Sequence, residues 1–242
     1  MSTATRLNVG AAGILLGLAA TAWYATWSGI VGMGSGMGSM DVSVPIYLVT
    51  WLVMLAAMMF PAIVPLVFAF ARVASARAHG SRLVAGLVLG YLFAWTVAGL
   101  VPLTLYVASQ GMVAGMSATA LEPLAVGAVL LGAGIYQFSS WKATCLRACR
   151  SPFGFVMTHD FNAGPISAFR AGVSQGAFCL GCCWALMAVL VVVGLMNLAW
   201  MAALSVLFVA EKNWRHGPGL SKVAGGTLAL SGLLVVISRV VL

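Results

Sequence analysis

Long apolar segments alternate with short polar stretches along the whole chain. A membrane-spanning helix needs about 20 mostly apolar residues, and on this basis the pattern predicts seven spans. They cover residues 9–30, 46–71, 83–108, 122–141, 170–194, 197–213 and 222–241. We therefore expect an all-α fold, a polytopic transmembrane helical bundle in which residues 1–242 form a single integral-membrane domain.

Two of the seven segments allow a second interpretation. The sixth has only about 17 residues, so it is either a span that follows a tight hairpin capped by Asn197 or a re-entrant segment. The first follows Arg6 and contains "ATA" at 20–22, a pattern typical of a cleavable signal peptide. The apolar run continues through 23–27, however, and the aromatic residues there suit the interface of a retained span.

The composition and the basic residues support this topology. The chain is 62% hydrophobic and 7% charged, whereas soluble domains have about 25% charged residues. With seven spans, all of the 12 Lys and Arg residues except Arg239 fall on one side. The positive-inside rule then places the N-terminus in the cytoplasm. This sorting explains the net charge of +8. Nucleic acid is not an expected partner, because no basic patch is interleaved with aromatic residues.

Sulfur-containing residues are concentrated in the core of the chain, residues 46–213. Residues three and four apart share a face of a helix. The stretch "FCLGCCWALM" (178–187) therefore presents one stripe made of Cys179, Cys182, Cys183 and Met187. This stripe predicts a site for a soft metal ion. The alternative is that the residues only pack, because Cys and Met are also common in cores.

Methionines occur in the second span and in two predicted external loops. The stretch "WLVMLAAMMFPAIVP" (51–65) contains Met58 and Met59, which could face the cysteines. Its two prolines are expected to interrupt the helix. The stretches "GMGSGMGSMD" (32–41) and "GMVAGM" (111–116) are flexible by composition. Thioethers bind Cu(I), so these loops either collect the ion weakly or merely contain Met.

Cys145 and Cys149 form a second group of cysteines, in the basic stretch "WKATCLRACRSP". They are four residues apart and so share one helix face. Thiolates together with thioethers favour Cu(I), which is the metal we expect. Zinc is the alternative, because four thiolates can hold it tetrahedrally.

Two polar pairs near the ends of the segments have ordinary explanations. His159 and Asp160 are expected to form a solvated pair in the long cytoplasmic loop, with metal binding or an acid–base pair as the alternatives. Glu211 precedes Lys212 at the end of the sixth segment, which predicts an ion pair at the membrane interface. The alternative for Glu211 is a role in proton or cation transfer.

Four stretches of the chain resemble a family of bacterial membrane proteins that are described as predicted metal-binding integral membrane proteins. The stretches are "WLVMLAAMMFP" (51–61), "YQFSSWKATCLRACRSP" (136–152), "GAFCLGCCWALM" (176–187) and "GLMNLAWMAALSVLFVAEK" (194–212). The resemblance extends from the second span to the sixth. It implies an integral protein of the bacterial inner membrane with a shared metal-binding core.

The resemblance also implies a set of ligands. Carried over by match, these are Cys145, Cys149, Cys179, Cys182 and Cys183, with Met58, Met59 and Met187 as further candidates. The family often has a His immediately before the Gly that precedes the cysteine run. Gln175 occupies that position here, so the site would have one donor fewer or be tuned differently.

The expected function is the handling of copper in a membrane. External Met residues would capture Cu(I), the intramembrane cysteines would bind it, and Cys145 and Cys149 would pass it inward or to a membrane or periplasmic partner protein. This covers transport, delivery and homeostasis. One alternative is a redox enzyme, or a subunit of one, that uses a copper site or a pair of thiols. Another is a scaffold subunit whose cysteines only pack. The sequence does not choose between transport and catalysis.

Overall fold

A computed structural model describes residues 3–29, 44–77, 79–113, 118–159, 164–193 and 197–241. These residues form α-helices and no strand, which confirms the all-α prediction. The helices are α1 (Thr3–Trp27), α2 (Val44–Ala74), α3 (Gly80–Val113), α4 (Ala118–Tyr136), α5 (Ser140–Cys149), α6 (Pro152–Thr158), α7 (Pro165–Val193), α8 (Leu198–Asn213) and α9 (Gly217–Val241).

Five helices in the described part of the chain are long and apolar enough to cross a membrane, namely α1, α2, α3, α7 and α9. A sixth span results if α4 and α5 are counted together despite the 66° bend between them. Helix α8 has 16 residues, which is about 24 Å at 1.5 Å per residue. A hydrocarbon core is about 30 Å thick, so α8 alone is short for a span. The number of spans and the cytoplasmic N-terminus stay predictions.

The segment 122–141, expected to be one span, is broken in the structure. Helix α4 ends at Tyr136, and α5 begins after Ser139. The Ser139 hydroxyl accepts a hydrogen bond from the backbone N–H of Lys142 at 3.1 Å, which satisfies one of the free N–H groups of the new helix. The cap places both cysteines of this region on a separate short helix.

Helix α2 continues through both of its prolines, contrary to the expected interruption. Pro61 has no N–H, so it frees the carbonyl of Ala57 four residues earlier. That carbonyl accepts a hydrogen bond from Trp23 Nε1 of α1 at 3.0 Å. The missing bond within α2 is thus replaced by a contact between two helices.

Helices α3 and α7 pack in close contact through glycines. A Cβ atom at Gly90 would overlap the backbone of Phe169, and one at Gly172 would overlap the backbone of Leu87. Small residues four apart let two apolar helices approach in this way. The contact brings the residue after Gly90, Tyr91, against the cysteine face of α7.

The centre of the bundle is formed by α2 and α7. In the most apolar windows of these helices, 61% and 56% of the residues are buried, compared with 17% in α1 and in α9. The cysteines of α7 therefore lie in the best-packed part of the described structure.

Candidate metal centre

The three cysteines of α7 form a compact group, here called the α7 thiols. The sulfur atoms of Cys179, Cys182 and Cys183 all lie within 4.8 Å of one another. The Sγ atoms of the adjacent pair, Cys182 and Cys183, are 3.3 Å apart. At most 1% of each residue is exposed. The structure thus brings together the three cysteines that helical spacing placed on one stripe, while their role as ligands stays a prediction.

Helix α5 brings a fourth thiol to this group. Cys149 Sγ lies 3.9 Å from Cys182 Sγ. Two contacts with α8 hold α5 in place. Lys142 Nζ is 2.8 Å from Glu211 Oε2, and Arg150 donates hydrogen bonds to backbone carbonyls at the end of α8, including that of Trp214 at 2.7 Å. The position of Cys149 therefore depends on α8 as well as on α5.

Cys145 contacts a different part of α7. Its Sγ packs on Gly181, where a Cβ atom would come within 2.6 Å of the sulfur. The Cys145 side chain also borders a surface groove of about 390 Å³ whose walls include Trp141 and Phe178. Within the described residues, the group of mutually close thiols includes neither cysteine of α5. The two contact different residues of α7, Cys145 at Gly181 and Cys149 at Cys182.

The candidate methionines are buried. Met58, Met59 and Met187 belong to the same hydrophobic core as the three cysteines. Met59 Sδ lies 3.8 Å from Lys212 Nζ, and the same ammonium contacts a cysteine. The Met-rich stretches 32–41 and 111–116 lie outside the side chains that the structure describes.

The expected ion pair between Glu211 and Lys212 is wrong. Glu211 pairs with Lys142 of α5, and both side chains are buried in the protein. Adjacent residues of a helix point about 100° apart, so Lys212 faces a different neighbour. Its Nζ lies 3.0 Å from Cys179 Sγ. The sequence thus missed a lysine in contact with the thiols.

Tyr91 is the second residue at the site that the sequence did not indicate. Its hydroxyl is 3.0 Å from Cys179 Sγ. The contact joins α3 to α7 across 88 residues of sequence. A local sequence pattern does not predict a contact over such a separation. The repeated glycines of α3 predict that another helix packs closely against α3. They do not indicate which helix it is.

Two other polar predictions can be located. The side chain of Asn197 accepts a hydrogen bond from Trp200 N at 3.2 Å, so Asn197 is the N-cap of α8. The other residues of the expected hairpin turn, 194–196, lie outside the described residues. His159 Nδ1 lies 3.0 Å from the carbonyl oxygen of Phe155, in its own helical turn. Asp160 lies outside the described residues.

A cavity of about 200 Å³ lies beside the thiols, between α2, α5, α7 and α8. Cys149 and Cys179 form part of its wall. The wall also contains Arg150, Gln175 and Lys212. The buried sulfur atoms therefore border an open space with polar groups.

The donors at this site are chemically soft. Thiols and a nearby thioether suit Cu(I) better than hard oxygen-binding ions. Zinc bound by four thiolates has Zn–S bonds of about 2.3 Å, and hence sulfur separations of about 3.8 Å. The separation of 3.9 Å between Cys149 and Cys182 is close to this value, whereas that of 3.3 Å between Cys182 and Cys183 is shorter. The sulfur distances therefore do not select one metal. The fold and the site define the class: a helical protein in which the α7 thiols form a buried site suited to a soft metal ion.

Comparison with known proteins identifies a family within this class. The sequence matches the PpoB2 family, described as a copper chaperone, over residues 48–235. This is most of the chain, which therefore belongs to the PpoB2 copper chaperone family. No curated protein and no solved structure matches the chain significantly. The matched range contains all five cysteines and supports the predicted metal-binding core.

Proposed function

We propose that this chain is an integral membrane copper chaperone that holds Cu(I) on Cys179, Cys182 and Cys183 and delivers it to a partner protein. The observation that carries the proposal is the group of three mutually close buried thiols in a member of a copper chaperone family. Transport and copper homeostasis are broader forms of the same function. Delivery is favoured because it needs only exchange of the metal between soft ligands.

The charges at the site suit a Cu(I)–thiolate complex. Three thiolates and one Cu(I) leave two net negative charges, which are costly in a buried site. The ammonium of Lys212, 3.0 Å from Cys179 Sγ, would offset one of them. Thiols lose protons when they bind a metal, so loading should release protons and weaken as the pH falls.

Helix α5 would provide the route for exchange. Cys149 is close enough to Cys182 to join the coordination of an ion held by the α7 thiols. Cys145, one turn away, borders the surface groove and would be the outer position on the route. Met58, Met59 and Met187 would serve as auxiliary thioether donors.

The membrane assignment is part of the proposal. Five helices have the length and hydropathy of spans, and large apolar side chains such as Ile14 of α1 and Val223 of α9 are exposed. Contact with lipid would cover these faces. The basic residues favour a cytoplasmic N-terminus, and we assign residues 1–242 to one domain in a bacterial inner membrane. A membrane or periplasmic protein would receive the copper.

A second candidate function is redox chemistry, favoured by one distance. Cys149 Sγ and Cys182 Sγ are 3.9 Å apart, so a small movement would allow a disulfide to form. A redox enzyme or enzyme subunit would use this pair for turnover. Cys149→Ser would then abolish activity with an electron acceptor, whereas in a chaperone it would slow the release of copper.

The proposed function is tested by the metal content of the detergent-purified protein after anaerobic loading with Cu(I). We expect near-stoichiometric copper, measured by mass spectrometry. A variant with Cys179, Cys182 and Cys183 all changed to Ser should lose it. Cys145→Ser is the matched control and should retain it, because its sulfur lies outside the group of close thiols.

The possible failures of this experiment have different meanings. Zinc in place of copper would keep the site and contradict the choice of metal. Equal copper in the wild-type protein and the triple variant would place the metal elsewhere. No metal in either protein would leave the α7 thiols as packing or redox residues.

A further inference from the structure

The cavity beside the thiols contains a polar group that the protein itself does not satisfy. Gln175 lines this cavity and is 3% exposed. Its Oε1 atom has no hydrogen-bond partner within the described part of the chain. A buried acceptor without a partner costs free energy, so such atoms in folded proteins call for an explanation. A bound molecule that donates a hydrogen bond would supply one.

The charged groups around the cavity are positive. Lys212 and Arg150 both line it, and none of its lining residues is acidic. Arg150 already donates to backbone carbonyls at the end of α8, but it forms no ion pair with a carboxylate within the described residues. These positive charges would repel a bare Cu⁺ ion that enters the cavity, and they would attract an anionic complex of copper.

Sulfur lies on the same wall as these cations. Cys149 and Cys179 both border the cavity, and Lys212 Nζ contacts Cys179 Sγ. A ligand in the cavity could therefore reach copper with one end and a cation with the other. The end of the ligand that reaches copper should carry sulfur, because Cu(I) is a soft ion. The end that reaches Arg150 should carry an anionic group, because a guanidinium binds anions strongly.

We propose that this cavity binds a small thiol that carries an anionic group, and that its thiolate is an external ligand of the bound copper. The proposal rests on the proposed function and names the form in which copper arrives. The thiolate faces Cys149 and Cys179, the anionic group faces Arg150, and a donor on the ligand fills the vacant acceptor of Gln175.

The size of the cavity limits the ligand. Its volume is about 200 Å³, and a molecule of liquid water occupies about 30 Å³. The space therefore suits a thiol with few heavy atoms. Mercaptoacetate is a probe of this size, and it carries one thiol and one carboxylate.

Copper would enter by exchange of thiolates without a redox step. The incoming complex holds Cu(I) between two small thiolates. Its CuS2 core has one negative charge, and the two anionic groups of the ligands bring the total to three. A cysteine thiol of the protein forms a new Cu–S bond while one bond to a small thiolate breaks. The proton of the cysteine leaves with the released thiolate as a neutral thiol group. The copper stays Cu(I), and the second small thiolate stays bound in the cavity.

The test compares three thiols of similar size and different charge. Purified protein is loaded anaerobically from Cu(I) complexes of mercaptoacetate, 2-mercaptoethanol and cysteamine, whose second groups are anionic, neutral and cationic. Loading from mercaptoacetate should be faster than from cysteamine by about ten- to hundredfold, since a cleft of one charge concentrates counter-ions by that order. Radiolabelled mercaptoacetate should also be retained at about one per copper.

Two variants separate the cavity from general effects on the fold. Mercaptoacetate has no hydrogen-bond donor, so this comparison uses radiolabelled 3-mercaptolactate, whose hydroxyl can donate to Gln175 Oε1. Gln175→Leu removes this acceptor and should lower the retained 3-mercaptolactate severalfold. Gln137→Leu is the matched control, because Gln137 is equally buried but contacts Ser221 of α9 rather than the cavity. It should retain the thiol like the wild-type protein.

The outcomes distinguish failure of the external ligand from failure of the proposed function. Stoichiometric copper with equal loading rates and no retained thiol would overturn the external ligand and leave the proposed function standing. Copper bound from none of the donors would overturn both. Loss of retained thiol in both glutamine variants would overturn the assignment to this cavity.

Discussion

Two lysines buried in the same part of the protein have partners of different kinds. Lys142 Nζ is 2.8 Å from the carboxylate of Glu211. Lys212 Nζ is 3.0 Å from the thiol of Cys179 and 3.8 Å from Met59 Sδ. The first pair is neutral when both groups are ionised. The second lysine has no carboxylate partner among the described residues, so its charge is available to a thiolate.

The difference assigns the two lysines to different tasks. The pair of Lys142 and Glu211 joins α5 to α8 and so positions Cys149 beside Cys182. Lys212 would act on the copper complex itself, by offsetting its negative charge. Changes at Lys142 should therefore affect stability first, and changes at Lys212 should affect the metal first.

The largest effect is expected at Lys142. Lys142→Met leaves the carboxylate of Glu211 buried without its partner and should lower the free energy of unfolding by about 3–5 kcal/mol. Unfolding in mixed micelles, followed by circular dichroism, measures this change. The double variant Lys142→Met, Glu211→Leu should recover most of the loss, and an equally unstable double variant would contradict the pairing.

A smaller effect, on copper alone, is expected at Lys212. Lys212→Met should weaken Cu(I) binding by about ten- to hundredfold, the size of effect that one nearby opposite charge has on an ionised group. Competition with a Cu(I) chelator measures the affinity. The exposed residue Lys222 provides the control, and Lys222→Met should bind like the wild-type protein. Unchanged affinity in Lys212→Met would remove the proposed role of the ammonium.

The hydrogen bond from Tyr91 should contribute less than the charge of Lys212. Tyr91→Phe removes the contact with Cys179 Sγ and should cost about 1 kcal/mol, or about fivefold in Cu(I) affinity. Tyr47→Phe is the control, because the Tyr47 hydroxyl donates to the carbonyl of Gly99, which lies eight residues along α3 from Tyr91. The same loss of affinity in both variants would indicate a general effect on packing.

The smallest effect is expected at Cys145. Cys145→Ser should change Cu(I) affinity by no more than about twofold, as for a substitution away from special features. It should nevertheless slow the transfer of copper to an external chelator, which stopped-flow absorbance measures. A large loss of Cu(I) affinity would show that Cys145 is a ligand of the bound copper rather than a residue of the exchange route.

The cysteine face of α7 was predictable because it depends on local geometry. Helical spacing alone aligned Cys179, Cys182 and Cys183, and the cap at Asn197 followed from its place before an apolar run. The partners of these residues were not predictable in the same way. Tyr91 and Lys212 reach Cys179 from other helices, and their contacts depend on how α3 and α8 pack against α7.

The errors in the sequence-based predictions have physical causes. Hydropathy predicts one span over 122–141, which covers α4 and the start of α5. The turn at Gln137 and Ser139 is too short to interrupt an apolar segment of this length. Proline chemistry predicts a break in α2, but Trp23 donates a hydrogen bond to the carbonyl that Pro61 frees. The adjacency of Glu211 and Lys212 predicts an ion pair, although adjacent residues of a helix face different neighbours.

The most direct test of the central claim is X-ray absorption at the copper edge of the anaerobically loaded, detergent-purified protein. If the α7 thiols hold Cu(I), the edge should show the monovalent ion, and its nearest neighbours should all be sulfur. The triple variant at Cys179, Cys182 and Cys183 should lose this signal. Nitrogen or oxygen neighbours in the wild-type protein, or the same sulfur shell in the triple variant, would contradict the account.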